Sequence, residues 1–167
     1  LMDSFLAFAK TLGIEETVID WRLPIGDAER DWARQQLVGG TGRVVIVNPA
    51  ASKPERNWPA GRYASVITHL QEKGAQVILS GGTHPVEMAL IKAIEEQLAT
   101  PVKNLAGQTN PKQLAALIEM ADCVLAPDTG PVHMAVAVGT PVVGLYAVAP
   151  SWLSGPYRQR EYVIDHF

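Results

Sequence analysis

A doubly wound α/β sandwich around a parallel sheet is the fold that this sequence predicts, and three observations predict it. Short β-branched runs alternate with helical patterns from Arg43 onward. The runs are continuously apolar rather than alternating, as in strands covered on both faces. Of the 167 residues, 47% are hydrophobic, enough for the core of one ordinary domain.

Taken in chain order, residues 1–42 carry a different pattern from the rest. Phe5, Leu6, Phe8, Ala9 and Leu12 predict one short helix ending at Gly13, followed by a loop around Pro24 and Gly26. The run Val38-Gly39-Gly40-Thr41-Gly42 is a natural joint, so 1–42 reads as a leader helix and interdomain linker, and 43–167 as the domain. Val44 to Val47 predicts the first strand. A helix follows with Tyr63, Val66, Ile67 and Leu70 on one face, and Gln76 to Leu79 completes a β-α-β unit. The alternation continues with a helix at about Val86 to Leu98, a strand from Val102 to Leu105 and a helix opened by Asn110-Pro111. A strand at Cys123, a helix from Pro131 to Val138 and a strand from Pro141 to Tyr146 close the series.

Composition removes several function classes. Fourteen basic and 17 acidic residues are interspersed and give a net charge of -3, so there is no basic stripe for nucleic acid or an anionic membrane. The single cysteine, Cys123, lies in an apolar run and reads as a buried strand residue in a reducing compartment. Nothing at the start resembles a signal peptide, which points to the cytoplasm. Thr129 to Tyr157 lacks Asp, Glu, Lys and Arg, but Pro131, Gly139, Pro141, Pro150 and Pro156 interrupt it. It reads as the heart of a soluble domain rather than as a transmembrane segment.

In an open parallel sheet, ligands bind beyond the C-terminal strand ends. Three loops stand out there. Asn48 to Pro59 offers small residues at Ala51 and Ser52 for close backbone approach, with positive charge from Lys53 and Arg56. On its own it reads rather as a solvated surface loop pinned by Trp58. The second, Ser80-Gly81-Gly82-Thr83-His84-Pro85-Val86-Glu87, is a Gly-rich turn. Its Glu87 either meets a ribose or answers a helix dipole, and His84 is a turn residue. The third, Pro127-Asp128-Thr129-Gly130-Pro131-Val132-His133, joins a strand to a helix. Thr129 or Gly130 caps that helix and Pro131 suits its first turn, so free amides and a dipole end suit a diphosphate. Plain capping by Asp128 and Thr129, with His133 packed, is the competing reading.

His69, His84, His133 and His166 show no ligand spacing, and no Asp-x-Asp pair is present to hold a divalent cation, so no metal and no cofactor are expected. The charge of a leaving diphosphate would then fall to side chains and helix amides. The dinucleotide fingerprint is missing after the first strand, which argues against a nicotinamide enzyme.

From Arg43 to the end, these loops in this order resemble the C-terminal domain of glycosyltransferase family nine, the ADP-heptose:lipopolysaccharide heptosyltransferases. The most specific element is Asp128-Thr129-Gly130-Pro131-Val132-His133-Met134-Ala135-Val136-Ala137-Val138-Gly139-Thr140-Pro141, close to the family's D-T-G-x-x-H-x-A-A-A-x-G-x-P pattern. The first loop matches in form, with Arg56 three places before Pro59 where family members often carry lysine. Asn104 to Thr109 and Leu114 to Ala121 also fit. One departure is Ala147-Val148-Ala149-Pro150, where the family has Gly-Pro-Thr and a small or acidic residue.

The resemblance implies the C-terminal half of a GT-B enzyme that transfers heptose with inversion and without metal. Its donor is an ADP-sugar and its acceptor the lipid-linked lipopolysaccharide core. By resemblance, Asp128, Thr129, Gly130 and His133 hold the diphosphate or sugar, Ser52 and Arg56 neutralise phosphate charge, and Glu87 meets the ribose. Ala51, Lys53 and Gly81 complete the binding set, with Arg56 and Asp128 as the catalytic pair. The catalytic base and acceptor site are expected on an N-terminal domain outside this chain, which would bind donor without transferring it. The whole enzyme would work in the cytoplasm, with peripheral association at the inner face of the inner membrane. Two rival readings remain: a non-catalytic nucleotide-sugar-binding module, and another GT-B-type enzyme such as a sugar-nucleotide epimerase.

Overall fold

The computed structural model describes residues 2–15, 20–37, 39 and 42–167. Its elements are α1 (Met2–Thr11), α2 (Asp27–Gln36), β1 (Val44–Val47), α3 (Ala60–Glu72), β2 (Gln76–Leu79), α4 (Pro85–Glu95) and β3 (Lys103–Asn104). There follow α5 (Pro111–Glu119), β4 (Cys123–Pro127), α6 (Gly130–Val138), β5 (Val142–Tyr146), α7 (Ser151–Ser154) and β6 (Val163–Asp165). The strands form one sheet in the order β3-β2-β1-β4-β5-β6, and every neighbouring pair is parallel. This is the doubly wound α/β architecture that the sequence predicts.

Side-chain alternation divides the core. Val44 and Ile46 of β1 join α5 and α6 on one face of the sheet, packing with Leu117, Ile118, Val132 and Ala135. Val45 and Val47 join α3 and α4 on the other, with Tyr63, Ile67, Ile91 and Ile94. All four β1 residues are therefore buried, which is why the run carries no polar position. Because β2 and β3 lie to one side of β1 while β4 lies to the other, the chain leaves β1 and β4 in opposite directions. A crevice opens between their C-terminal ends.

Local signals set the helix ends that flank this crevice. The Asn110 side chain accepts from the Gln113 N–H at 2.9 Å while the Gln113 side chain accepts from the Asn110 N–H at 3.0 Å, a reciprocal cap that starts α5 at Pro111. His84 caps α4, its Nδ1 accepting from the Val86 N–H at 3.3 Å, in keeping with its reading as a turn residue. Gly139 ends α6 at φ +82°, a left-handed position that disfavours any side chain.

The leader differs from its expected form. The short helix before Gly13 is present as α1, but a second helix, α2, stands within the stretch read as connector, and it packs on the domain. Ala33 is fully buried in the α5–α6 core, and Arg30 grips Glu119 of α5 through Nε (2.7 Å) and Nη2 (3.0 Å). Lys103 Nζ adds a bond to the Gln36 carbonyl at 2.7 Å. Of the expected joint, Val38, Gly40 and Thr41 lie outside the described residues. Other differences are smaller: α4 ends at Glu95, β3 is only Lys103–Asn104, and the edge strand β6 was not foreseen. Cys123 is half-buried rather than buried, and that burial pushes its thiol up from the ordinary value.

Candidate functional site

The β1–β4 crevice is a cleft of about 570 Å³. The first loop enters it in a tight fold. Asn57 Oδ1 accepts from the Ala51 N–H at 2.7 Å, and a turn of 3-10 helix over Pro54–Arg56 then lifts Arg56 toward β4. Behind it Trp58 stands edge-on to the buried Tyr63, centroids 5.6 Å apart, with the Arg62 guanidinium over its ring. Trp58 therefore pins the loop to α3, as the reading of a loop pinned by Trp58 expects. Ser52 lines the cleft, whereas Ala51 is buried and Lys53 is exposed outside the lining.

Arg56 reaches across to the third loop. Its Nη1 lies 2.9 Å from Asp128 Oδ2 and 3.4 Å from the Asp128 carbonyl. The two side chains are only 25% and 11% exposed, so their attraction is less screened than that of a surface pair. Arg56 Nε is buried and has no hydrogen-bond partner among the described residues. Burial, and next the nearby Asp128 charge, hold the Tyr146 hydroxyl above the ordinary tyrosine range, so this phenol stays protonated at neutral pH. It donates to the Ser154 carbonyl at 3.1 Å.

Directly after Asp128, Thr129 is the extended N-cap of α6, yet its side chain makes no capping bond, and Gly130 and Pro131 form the first turn. The plain-capping reading thus fails at Thr129. Helix amides and a hydroxyl remain available where Thr129, Gly130, Pro131 and the exposed His133 line the cleft. On the opposite wall, Glu87 of α4 folds back so that its Oε2 accepts from the Gly82 N–H at 2.6 Å. A side chain on Gly81 would approach Ile91 Cδ1 at 2.9 Å, so the tip of that isoleucine would have to shift.

Eight of the ten expected site residues, from Ser52 and Arg56 to Gly81, Glu87 and the Asp128–His133 turn, thus gather in one cleft. Sequence reasoning missed Asn48, Ala50, Thr109, Asn110, Pro111, Leu114 and Met134, which also line it. Asn110-Pro111 was legible as a helix start, and its place after β3 was the signal that it also faces the ligand end. Among the described residues, no group of three or more His, Cys, Asp or Glu is placed to hold a metal ion. Nor is any helix there long and apolar enough to cross a membrane.

The model of glycosyltransferase family 9 (heptosyltransferase) matches residues 1–166. The chain belongs to this family. It is 33% identical over 165 residues to the lipopolysaccharide core heptosyltransferase OpsX of Haemophilus influenzae, covering 99% of this chain and 47% of that protein. Glycosyltransferase family 9 structures superpose on it. The Veillonella parvula member aligns with a TM-score of 0.87 at 25% identity, over 98% of this chain and 48% of its own. The Escherichia coli ADP-heptose lipopolysaccharide heptosyltransferase II aligns with a TM-score of 0.68 at 27% identity, over 86% and 44%. The family 9 chain therefore spans about half the length of the relatives it matches, with the fold of one Rossmann-like half of a GT-B glycosyltransferase.

Proposed function

We propose that this chain is the donor-binding half of an inverting, metal-independent glycosyltransferase that takes an ADP-activated heptose and adds it to the lipid-linked core of lipopolysaccharide. One observation carries the reading: at the switch-point cleft a shielded Arg56–Asp128 pair meets the uncapped N-terminus of α6. Guanidinium and helix amides are the donors that a diphosphate requires when no metal ion bridges it. Membership of the heptosyltransferase family and the likeness to an ADP-heptose enzyme narrow the ligand from any diphosphate to an ADP-sugar.

In this reading Ser52, Arg56, Thr129, Gly130 and His133 surround the diphosphate, and Glu87, aligned by the Gly82 N–H, accepts from the ribose. Gly81 lets the backbone come close. Asp128 only accepts hydrogen bonds, so it holds Arg56 in place and takes hydroxyls of the donor sugar. The acceptor hydroxyl attacks the anomeric carbon, the bond to the β-phosphate oxygen breaks with its electrons, and ADP departs against Arg56 and the α6 amides. The base that removes the acceptor proton belongs to an acceptor-binding half beyond these 167 residues, and the joined enzyme works on the cytoplasmic side of the membrane that carries its acceptor. Ala51 and Lys53 drop out of the assignment, one because its amide is already used by Asn57 and the other because it stands outside the cleft.

Titration calorimetry of the chain with ADP in excess chelator tests the proposal. Binding is expected undiminished; binding abolished by chelator would mean a metal-bridged diphosphate and end the metal-free reading.

A further inference from the structure

Asn48 stands at the switch point itself, in the cleft lining but in none of the roles above. Its backbone N–H donates to the Leu125 carbonyl at 3.0 Å, carrying the β1–β4 pairing one residue beyond the strand. The side chain is 3% exposed and bonds in two directions. Nδ2 donates to the Ala50 carbonyl at 3.0 Å, and Oδ1 accepts from the Ser80 hydroxyl at 3.2 Å. The orientation of this amide is settled by chemistry, because the Ala50 carbonyl can only accept. Ser80 is fully buried, and its own N–H donates to the Val47 carbonyl at 3.0 Å.

This buried amide therefore ties together two loops that have no other bridge of this kind among the described residues. Beyond Ala50 lie Ser52 and Arg56; directly after Ser80 lie Gly81, Gly82 and the Glu87 clasp. We propose that Asn48 and Ser80 are positioning residues that fix the spacing between the phosphate-handling loop and the ribose-handling loop, so that the cleft selects a nucleoside joined to its diphosphate over either piece alone. The inference rests on the donor-site reading. Each loop keeps its own contacts if the tie is cut, but a ligand that must satisfy both at once loses the benefit of their alignment.

Ser80→Ala removes one buried hydroxyl and leaves every ligand-facing group in place. Thermal unfolding first establishes that the variant folds. The 167-residue chain is then titrated with ADP, adenosine and inorganic pyrophosphate. The expected result is ADP binding weakened about tenfold while the two fragments change by less than about twofold. Ser80→Cys, nearly isosteric and a weak donor, should fall between the parent and Ser80→Ala. General loosening of the cleft, by contrast, would weaken all three ligands in parallel, and that outcome, or an unchanged ADP affinity, overturns the positioning role alone. Failure of the unaltered chain to bind ADP overturns the donor-site reading and this role with it.

Discussion

The two walls of the cleft are built on opposite principles. On the β2–β3 wall the polar groups satisfy one another: Glu87 is held by the Gly82 N–H, and Asn110 is locked in its reciprocal cap with Gln113. On the β1–β4 wall Asn48 is satisfied too, but two groups are not. Among the described residues Arg56 Nε is buried without a partner, and Thr129 begins a helix that its side chain leaves uncapped. Buried donors are seldom left without partners, and in the proposed function the ligand completes this wall. One side presents a finished shape and the other a set of unused donors. The charge of a ligand should therefore be read by β1 and β4, and its neutral part by β2 and β3.

The sharpest way to break that contrast is Arg56→Ala. It removes the cation and leaves Asp128, only 11% exposed, unpaired where a diphosphate should sit. Loss of a charge-assisted contact of this kind costs about 2 kcal/mol, so ADP affinity should fall roughly thirtyfold. Adenosine, without phosphate, should bind within about twofold of its former affinity. Calorimetry with the two ligands separates the cases, and equal losses would show that Arg56 shapes the whole cleft rather than reading charge. Arg56→Lys should recover only part of the affinity, since a lysine cannot reproduce the guanidinium fork.

The opposite wall predicts a smaller and less selective effect. Glu87→Ala removes the acceptor that aligns Gly82 and, in the proposed function, contacts the ribose. A single hydrogen bond of this sort is worth about 1 kcal/mol, roughly fivefold. ADP and adenosine both contain the ribose, so the same titrations should show them weakening together. A loss confined to ADP would place Glu87 with the charged wall and erase the distinction between the two.

The unequal walls were also unequally legible in the sequence. Asp128-Thr129-Gly130-Pro131 advertises a strand-to-helix turn through residue types with strong positional preferences, and an arginine among small residues marks the first loop. The second wall draws on Thr109 and Leu114, ordinary residues whose only distinction is the place that the crossover from β3 to β4 gives them. That place depends on strand order, which no local pattern encodes. Helix α2 escaped notice for a related reason. Asp-Ala-Glu-Arg-Asp-Trp-Ala-Arg-Gln-Gln offers almost no apolar stripe, and its burial is concentrated at Ala33, a residue too small to stand out. Its attachment is made by Arg30 meeting Glu119, 89 positions away, a pairing invisible along the chain. The predicted strands, by contrast, were readable because burial on both faces forces an uninterrupted apolar run.

Helix α2 offers the mildest test of the comparison. It grips α5, and the first turn of α5 supplies Asn110, Pro111 and Leu114 to the finished wall. If that wall is a shape rather than a set of charges, its brace should support stability without touching ligand charge. The bonds from Arg30 hold the Glu119 carboxyl below its ordinary value of 4.5, with partial burial opposing them. A carboxyl lowered in the folded state contributes stability that is present above its ordinary value and disappears as pH falls through the lowered one. Glu119→Gln should therefore lower the thermal midpoint at pH 7 by only about 2 °C, since the pair is partly exposed. The two melting curves should converge as pH falls from the ordinary carboxyl value through the lowered one, where the folded parent also loses the charge. ADP affinity at pH 7 should change by less than about twofold, because the ion pair sits at the far end of α5 from the cleft. A midpoint difference that persists unchanged into acid would assign the effect to packing rather than charge. A large loss of ADP binding would mean that the wall's shape yields readily when its brace is cut, so that the finished wall and the unfinished one are not independent.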